Sequence, residues 1–189
     1  MTLQQEKPGE LIVLVDDDGN EIGTAPKLAS HHLHTPLHRA FSCYVFNAKR
    51  QFLVTQRAKS KKVWPGIWTN SVCGHPGPGE SFEDAIARRA ADELGMTLRD
   101  ITVVLPDYRY TTPPFNGVIE NEICPVYVAR LVTGPNPNPE ETEDFTWMSW
   151  AEYTADVTAN PEKYSYWCKD QLSQLHNHPL IAQYSASSE

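Results

Sequence analysis

Histidine is concentrated in one short stretch of the chain. Four of the seven histidines fall within eight positions, at His31, His32, His34 and His38. Neutral imidazole is a common metal ligand, so the cluster is compatible with a metal site as well as with a polar surface loop. The spacing alone does not tell which of the four would bind.

Two carboxylates lie two residues apart at Glu120 and Glu122. On a strand, alternation would place both on one face, while Ile119 and Ile123 point to the other. Like charges on a half-buried face repel and are each desolvated, and a divalent cation would relieve both costs. The alternative is a solvent-facing edge strand.

A cysteine and a histidine fall in a turn rich in glycine and proline, Cys73-Gly74-His75-Pro76. A free thiol titrates near ~8.5, so it is mostly protonated at neutral pH and is able to donate a proton. His75 could join the other histidines and the glutamates around a metal. The alternative is a buried, inert cysteine beside a surface histidine.

Basic and aromatic residues supply further candidates. Arg57 and Lys61 follow a short apolar segment and could clamp a diphosphate, Arg57 through paired hydrogen bonds and Lys61 as a point charge, although a solvated loop is the usual alternative. Tyr110 and Trp167 could simply be core residues. An aromatic face stabilises a cation by roughly 0.5–2 kcal/mol, which matters only if the reaction forms a carbocation.

The clearest predicted helix starts at Ser81, with Asp84 three residues later as a variant of the capping box, and stops at Gly95. Its apolar residues share one broad side, and Arg89 and Glu93 fall beside them. Charges on an inward face are costly unless they are paired or bound to metal.

The remaining pattern predicts short strands and few helices. Strands are expected at 11–15, 41–46, 52–56, 107–111, 118–128 and 146–150, with a hairpin between the second and third. A second helix is expected from Pro161, capped by Asn160. Uneven interleaving of these elements favours an α/β (α+β) fold, a mixed β-sheet sandwich flanked by helices, over a doubly wound sheet.

Length and composition limit the possible domain organisation and the possible classes of partner. A chain of 189 residues suits a single domain, 1–189, with residues 1–10 and 177–189 expected to be loosely ordered. The net charge of −8 argues against nucleic-acid binding, no apolar run is long enough for a membrane span, and the N-terminus has no targeting pattern. The four cysteines are widely spaced, so we expect a cytoplasmic protein without disulfides.

Residues 74–96 resemble a Nudix box, the diphosphate-hydrolase motif whose glutamates hold divalent metals. The frame Gly74-x5-Glu80-x7-Arg88-x4-Glu93-x-Gly95 is present. However, Arg89 stands at the position after Arg88 where the motif has a glutamate, and Asp92 stands where the motif has a second glutamate. An arginine does not bind a metal, so this difference speaks against hydrolysis.

The surrounding motifs resemble type 1 isopentenyl-diphosphate isomerases. The similar segments span most of residues 11–170 and include 37–42, 61–68, Thr69-Asn70-Ser71-Val72-Cys73-Gly74-His75-Pro76 and Glu120-Asn121-Glu122-Ile123-Cys124-Pro125. The resemblance implies a Nudix-type fold and interconversion of isopentenyl and dimethylallyl diphosphate through protonation, a tertiary carbocation and deprotonation. One local difference is Ser165-Tyr166-Trp167, where the family often has Ser-Pro-Trp.

The resemblance also implies roles for individual residues. It matches Cys73 and Glu122 to the proton-transferring pair, Tyr110 to a hydrogen-bonding neighbour of the glutamate, and Trp167 to the aromatic residue that faces the cation. The implied ligands of a divalent cation (Mn²⁺, Mg²⁺ or Zn²⁺) are His31, His38, His75, Glu120 and Glu122. The implied diphosphate contacts are Lys27, Arg57, Lys61 and Arg89, with Glu93 binding Mg²⁺ that bridges to the diphosphate.

Three hypotheses follow for the function. The first is the isomerase, acting on a small isoprenyl diphosphate as a monomer or weak homodimer, with no nucleic-acid or membrane partner. The second is a Nudix hydrolase of a nucleoside or other diphosphate, against which Arg89 speaks. The third is a catalytically silent module that binds metal and diphosphate. The residues leave open which of Cys73 and Glu122 is the acid in each direction, and also the pathway served.

Overall fold

The computed structural model describes residues 9–186 and contains twelve strands and five helices in that range. The strands are β1 Leu11–Val15, β2 Glu21–Pro26, β3 His38–Arg39, β4 Phe41–Phe46, β5 Phe52–Arg57, β6 Trp68–Thr69, β7 Val72–Gly74, β8 Thr97–Leu105, β9 Arg109–Thr111, β10 Asn121–Ile123, β11 Val126–Thr133 and β12 Thr142–Met148. The helices are α1 Lys27–Ser30, α2 Phe82–Leu94, α3 Trp150–Ala159, α4 Tyr166–Leu175 and α5 Pro179–Ser185.

The strands form two mixed sheets. The smaller sheet has the order β2-β1-β3-β10-β9 and the larger has β12-β5-β4-β11-β8, with β6 added to β5 and β7 to β4. The β3/β10 and β4/β11 pairs are parallel, whereas the other strand pairs are antiparallel. The predicted mixed α/β sandwich is confirmed.

The larger sheet is covered on both faces. Strand β4 is buried at all six positions because its side chains alternate between two apolar clusters. Val45 packs towards Ile86 and Leu94 of α2, whereas Tyr44 packs towards the layer that contains Tyr153 of α3 and residues of α4 and α5. Helices on both faces therefore fix the position of this sheet.

Helix α2 begins and ends as predicted. The Ser81 hydroxyl accepts a hydrogen bond from the Asp84 N–H, and Gly95 ends the helix in the left-handed conformation, at φ 55°. A side chain at Gly95 would also meet the Asn136 carbonyl oxygen at 2.9 Å, so both the backbone angle and the contact require glycine.

Two predicted elements differ in extent. The single strand expected at 118–128 is two strands, β10 and β11, because Cys124 and Pro125 lie at the point where the chain passes from the smaller sheet to the larger. From Pro161 the chain forms only a short 3-10 turn, Pro161–Lys163, without a side-chain cap from Asn160, and the α-helix begins at Tyr166. Tyr164 is extended and bridges to Trp68, and Ser165, whose hydroxyl accepts a hydrogen bond from the Cys168 N–H, caps α4 instead.

The C-terminal segment also differs from the expectation of loose order. Residues 179–185 form α5, which begins with Pro179 and buries Ile181 and Tyr184 in the core. Residues 1–8 and 187–189, which belong to the predicted loose termini, lie outside the described part. No helix between residues 9 and 186 has the length and apolar character required to cross a membrane.

Candidate active site

The site lies where two parallel strand pairs change sheets. The chain passes from β3 to β4 at Ala40 and from β10 to β11 at Cys124 and Pro125. A cavity of about 400 Å³ takes its lining from both sheets and from the inward face of α2. Twelve of the thirteen predicted site residues line this cavity: Lys27, His31, Arg57, Lys61, Cys73, His75, Arg89, Glu93, Tyr110, Glu120, Glu122 and Trp167.

The thirteenth predicted residue, His38, is fully buried and joins the histidine cluster. Its Nε2 lies 3.2 Å from Nε2 of His75 and 3.5 Å from Oε1 of Glu122, and that same oxygen lies 3.1 Å from Nε2 of His75. Strand pairing explains the contact, because His38 and Glu122 are direct partners in the parallel β3/β10 pair. His32 and His34, which are not in the ligand set implied by the family resemblance, are exposed and contact each other instead.

Backbone carbonyls orient two of these imidazoles. Nδ1 of His31 lies 2.6 Å from the Lys27 carbonyl oxygen, and Nδ1 of His38 lies 2.8 Å from that of Pro36. Because a carbonyl only accepts, each Nδ1 carries a hydrogen, and Nε2 is the ring nitrogen that faces the cluster. This arrangement is typical of metal-binding histidines.

The geometry fits a divalent cation. Burial lowers the pKa of His75 to about 4, so the imidazole is neutral, and its Nε2 lies 3.2 Å from Nε2 of His38. Oε2 of Glu120 is buried without a hydrogen bond, 3.4 Å from Nε2 of His31. Ligand atoms of His31, His38 and His75 lie within 4.8 Å of one another, as do those of His38, Glu120 and Glu122. Imidazole nitrogens and carboxylate oxygens that converge in this way are the mixed donor set that a divalent cation binds.

Glu122 is ionised in this environment. Burial by itself would raise the pKa of the carboxyl group, but hydrogen bonds with His38 and His75 outweigh it, and the pKa lies below its ordinary value. Tyr110 is the cross-strand partner of Glu122 on β9. Burial first, and the nearby Glu122 charge second, raise the pKa of the Tyr110 phenol, which therefore remains a hydrogen-bond donor.

The Cys73 thiol is protonated. Burial raises its pKa to about 12, and its Sγ donates a hydrogen bond to Oδ1 of Asn70 at 2.9 Å. The other three cysteines are fully buried and make no disulfide. Cys73 lies on β7 of the larger sheet and Glu122 on β10 of the smaller one, so the thiol and the carboxylate reach the cavity from different sheets.

Cationic side chains also line the cavity, and most of them are paired with carboxylates. Lys27 pairs with Glu10 at 3.1 Å, Lys61 pairs with Glu141, and Arg89 pairs with Glu93. Nε atoms of two arginines, Arg57 and Arg89, are buried without a hydrogen-bond partner. Buried N–H groups without a partner are costly, so they indicate a site for an anionic ligand. Sequence reasoning missed Glu141, which also lies 3.5 Å from Arg89.

Trp167 lies in the first turn of α4, with its indole N–H hydrogen-bonded to Thr69 at 2.9 Å and to Asn70 at 3.1 Å. Its ring is 6.2 Å from that of Tyr110, centroid to centroid. Tyr166 occupies the first helical position after the Ser165 cap, which is the position where proline is most readily accommodated. The sequence difference from Ser-Pro-Trp is therefore compatible with an unchanged backbone at Trp167.

Comparison with known proteins identifies the family. A NUDIX domain matches residues 36–168. The curated protein "Isopentenyl-diphosphate Delta-isomerase" of Saccharopolyspora erythraea is 51% identical over 166 residues, covering 88% of this chain and 86% of its own length. The protein of the same name from Paenarthrobacter aurescens is 52% identical, with 88% and 90% covered. The chain belongs to the isopentenyl-diphosphate Delta-isomerases of the NUDIX family. Solved structures agree on the fold of this isomerase-family chain: a MutT NUDIX hydrolase from Burkholderia pseudomallei superimposes with a TM-score of 0.57 at 20% identity, over 74% of this chain and 98% of its own.

In the Nudix box of this isomerase-family chain, the Glu80–Arg88 pair of the motif is kept, whereas the set of residues of α2 that faces the cavity differs from the motif. Glu80 accepts two hydrogen bonds of 2.7 Å from Arg88 and one from the Gly77 N–H, which fixes the loop before α2. On the same helix, Arg89 and Glu93 face the cavity, whereas Asp92 is exposed to solvent. The box therefore retains a single carboxylate, Glu93, on the cavity side of α2.

Proposed function

We propose that the chain interconverts isopentenyl and dimethylallyl diphosphate by moving one proton on and another off the five-carbon chain. The observation that carries this proposal is the composition of the cavity. A protonated thiol and an ionised carboxylate reach it from different sheets, and cationic side chains share its lining. Such a cavity suits a substrate with a short hydrocarbon end and a diphosphate end.

Cys73 and Glu122 are the proposed proton-transferring groups. In one direction a proton is added to the terminal CH₂ carbon, the neighbouring carbon becomes a tertiary carbocation, and a proton is lost from the carbon next to the diphosphate-bearing one. The double bond shifts, and no other bond is broken. A thiol is able to give the proton and a carboxylate to take it, and the reverse reaction exchanges the two roles.

Trp167 and Tyr110 are proposed to stabilise the carbocation. Both aromatic side chains line the cavity with Cys73 and Glu122. A cation over an aromatic face gains roughly 0.5–2 kcal/mol, with the larger value in a desolvated site. The Tyr110 hydroxyl, opposite Glu122 on the neighbouring strand, is proposed to orient that carboxylate.

Lys27, Arg57, Lys61 and Arg89 are proposed to bind the diphosphate. The unpartnered Nε–H groups of Arg57 and Arg89 are available to donate hydrogen bonds to phosphate oxygens. Glu93, already beside Arg89, is proposed to hold Mg²⁺ together with the diphosphate. These basic groups are proposed to neutralise and orient the diphosphate.

His31, His38, His75, Glu120 and Glu122 are the proposed ligands of a second divalent cation. Mn²⁺, Mg²⁺ and Zn²⁺ are all compatible with mixed nitrogen and oxygen ligands. When bound, the cation would neutralise the clustered carboxylates and polarise groups that contact it. The protein supplies the orientation, through the backbone carbonyls that fix His31 and His38.

Proton NMR in D₂O tests the proposal. With Mg²⁺ and Mn²⁺ present, isopentenyl diphosphate should convert to its isomer, gain deuterium at the exchanging carbons and release no phosphate. Cys73→Ala and Glu122→Gln should each abolish conversion, whereas Cys43→Ala, which removes a buried thiol on the opposite side of β4, should retain it. Phosphate release without deuterium exchange would instead favour a hydrolase, and absence of both reactions would favour a silent binding module.

We also propose that the chain acts as one domain in the cytoplasm, as a monomer or weak homodimer without a nucleic-acid or membrane partner. The net charge of −8 supports the absence of nucleic-acid binding. Light scattering after gel filtration would test the oligomeric state, and a single cooperative unfolding transition would support one domain.

A further inference from the structure

Asn70 lies between β6 and β7 and is fully buried beside the cavity. Its side chain makes direct contact with two of the proposed reacting groups. Oδ1 accepts hydrogen bonds from the Cys73 thiol at 2.9 Å and from the Trp167 indole N–H at 3.1 Å. The residue therefore joins the thiol on β7 to the aromatic ring on α4.

The orientation of the Asn70 amide is fixed by its partners. Nδ2 donates to the carbonyl oxygens of Cys43 at 3.2 Å and Val72 at 3.0 Å. A carbonyl only accepts and an indole N–H only donates, so a flipped amide would place donor against donor and acceptor against acceptor. The oxygen is therefore the atom that faces Cys73 and Trp167.

The backbone of Asn70 reinforces this link. Its N–H donates to Sγ of Cys168 at 2.9 Å, one residue after Trp167 on α4. Thr69, the preceding residue, accepts a second hydrogen bond from the Trp167 indole. Displacement of α4 relative to β7 would break this whole set of buried hydrogen bonds at once, which is costly in a site of low dielectric.

We infer that Asn70 is a positioning residue that holds the Cys73 thiol and the Trp167 ring in one fixed relation. This inference rests on the proposed isomerase function. If a carbocation forms in the cavity, the proton donor and the aromatic face act on the same few carbon atoms. A misplacement of about 1 Å is able to reduce the rate by about 10²-fold. Asn70 itself transfers no proton in the proposed reaction.

Two substitutions and a matched control separate positioning from stability. Asn70→Ala removes the amide, and Asn70→Ser retains a short polar group for the case in which the alanine variant does not fold. Ser71→Ala is the control, because the Ser71 hydroxyl is buried next to Asn70 but bonds only to the backbone, at Leu53 and Val45. This control measures how much thermal stability and kcat change when a buried hydrogen bond is lost but Cys73 and Trp167 keep their contacts.

Steady-state kinetics are measured on the full chain with Mg²⁺ and Mn²⁺. We expect kcat of Asn70→Ala to fall by about 10- to 100-fold while KM stays within about threefold, because the diphosphate contacts are unchanged. Ser71→Ala should lose thermal stability but keep kcat within about threefold. An Asn70 variant that changes KM and kcat together, or that keeps a kcat like that of Ser71→Ala, would overturn the inference.

A double-mutant cycle tests the link to the indole. Trp167→Phe keeps an aromatic face but removes the N–H that bonds Asn70. If Asn70 acts through that bond, the kcat loss caused by Asn70→Ala should be at least about threefold smaller in the Trp167→Phe background. Additive effects would refute the positioning role, as would failure of both Asn70 variants to fold. If the wild-type chain shows no isomerisation, the proposed function fails first, whereas an active wild type with additive variants contradicts only this inference.

Discussion

Removal of the Arg89 guanidinium should weaken substrate binding far more than turnover. Arg89 is mostly buried, with its side chain 15% exposed, and its Nε has no partner. A hydrogen bond between charged groups contributes about 1.5–3 kcal/mol, which corresponds to about 10- to 150-fold in kcat/KM. Because the charge of the diphosphate does not change during isomerisation, Arg89→Gln should raise KM by most of this factor and leave kcat within about threefold.

The carboxylates around Arg89 add a second consequence. Burial would lower the pKa of the guanidinium, but Glu93 and Glu141 outweigh it, and the pKa lies above its ordinary value. In Arg89→Gln these two carboxylates lose their shared cation and repel each other. We therefore expect the variant to be less stable than the wild type at pH 8, and Mg²⁺ to restore part of the difference by neutralising Glu93.

Initial rates over a range of isopentenyl diphosphate concentrations, with unfolding followed by circular dichroism, test both expectations. Arg89→Lys keeps the charge without the planar fork and should fall between the wild type and Arg89→Gln. Arg99→Gln removes a mostly exposed arginine and serves as the control. A fall in kcat at unchanged KM would refute the assignment of Arg89 to the diphosphate and would place it nearer to the proton transfers.

Two further predictions concern the Glu80–Arg88 pair and the proposed metal ligands. Hydrogen bonding to Arg88 lowers the pKa of Glu80 below 4.5, so the ionised carboxylate stabilises the fold at neutral pH. This contribution is lost as the pH falls below 4.5. The melting temperature of the wild type should therefore drop more steeply between about pH 5 and pH 3 than that of Glu80→Gln. Chelation should abolish isomerisation and added Mn²⁺, Mg²⁺ or Zn²⁺ should restore it, whereas His38→Ala should reduce the metal content measured by mass spectrometry and His34→Ala should not. Equal metal content in the two histidine variants would contradict the proposed ligand set.

The elements predicted best were those with complete local signals. Ser81 and Gly95 mark both ends of α2 by side-chain and backbone chemistry, and the hairpin from Phe41 was readable from two apolar runs around a short polar turn. Helix α3 was missed although Ser149 and Glu152 form a complete capping box. Strand β8 was missed because most of its side chains are not fully buried, so no clear alternation marks it.

Long-range pairing explains what local sequence could not provide. The end of the strand at Ile123 depends on the passage of Cys124 and Pro125 between sheets, which no pattern in residues 118–128 indicates. The start of α4 depends likewise on the bridge between Tyr164 and Trp68. Residue spacing grouped the histidines but did not choose among them, and the choice of His31 and His38 came from the family resemblance.

In the Nudix box of this chain, different residues position helix α2 and face the cavity. Glu80 and Arg88 position α2 against the preceding loop, and their pairing is independent of which residue follows. Position 89 faces the cavity, so a substitution there alters what the helix presents to a ligand without disturbing that pairing. A carboxylate at this position would add negative charge beside Glu93 and require metal, whereas Arg89 adds a cation, which is proposed to bind the diphosphate directly. Arg89→Glu should therefore fold with its Glu80 pairing intact and lose diphosphate binding, but it should not gain hydrolysis, because Asp92 faces solvent and does not replace the missing metal ligand.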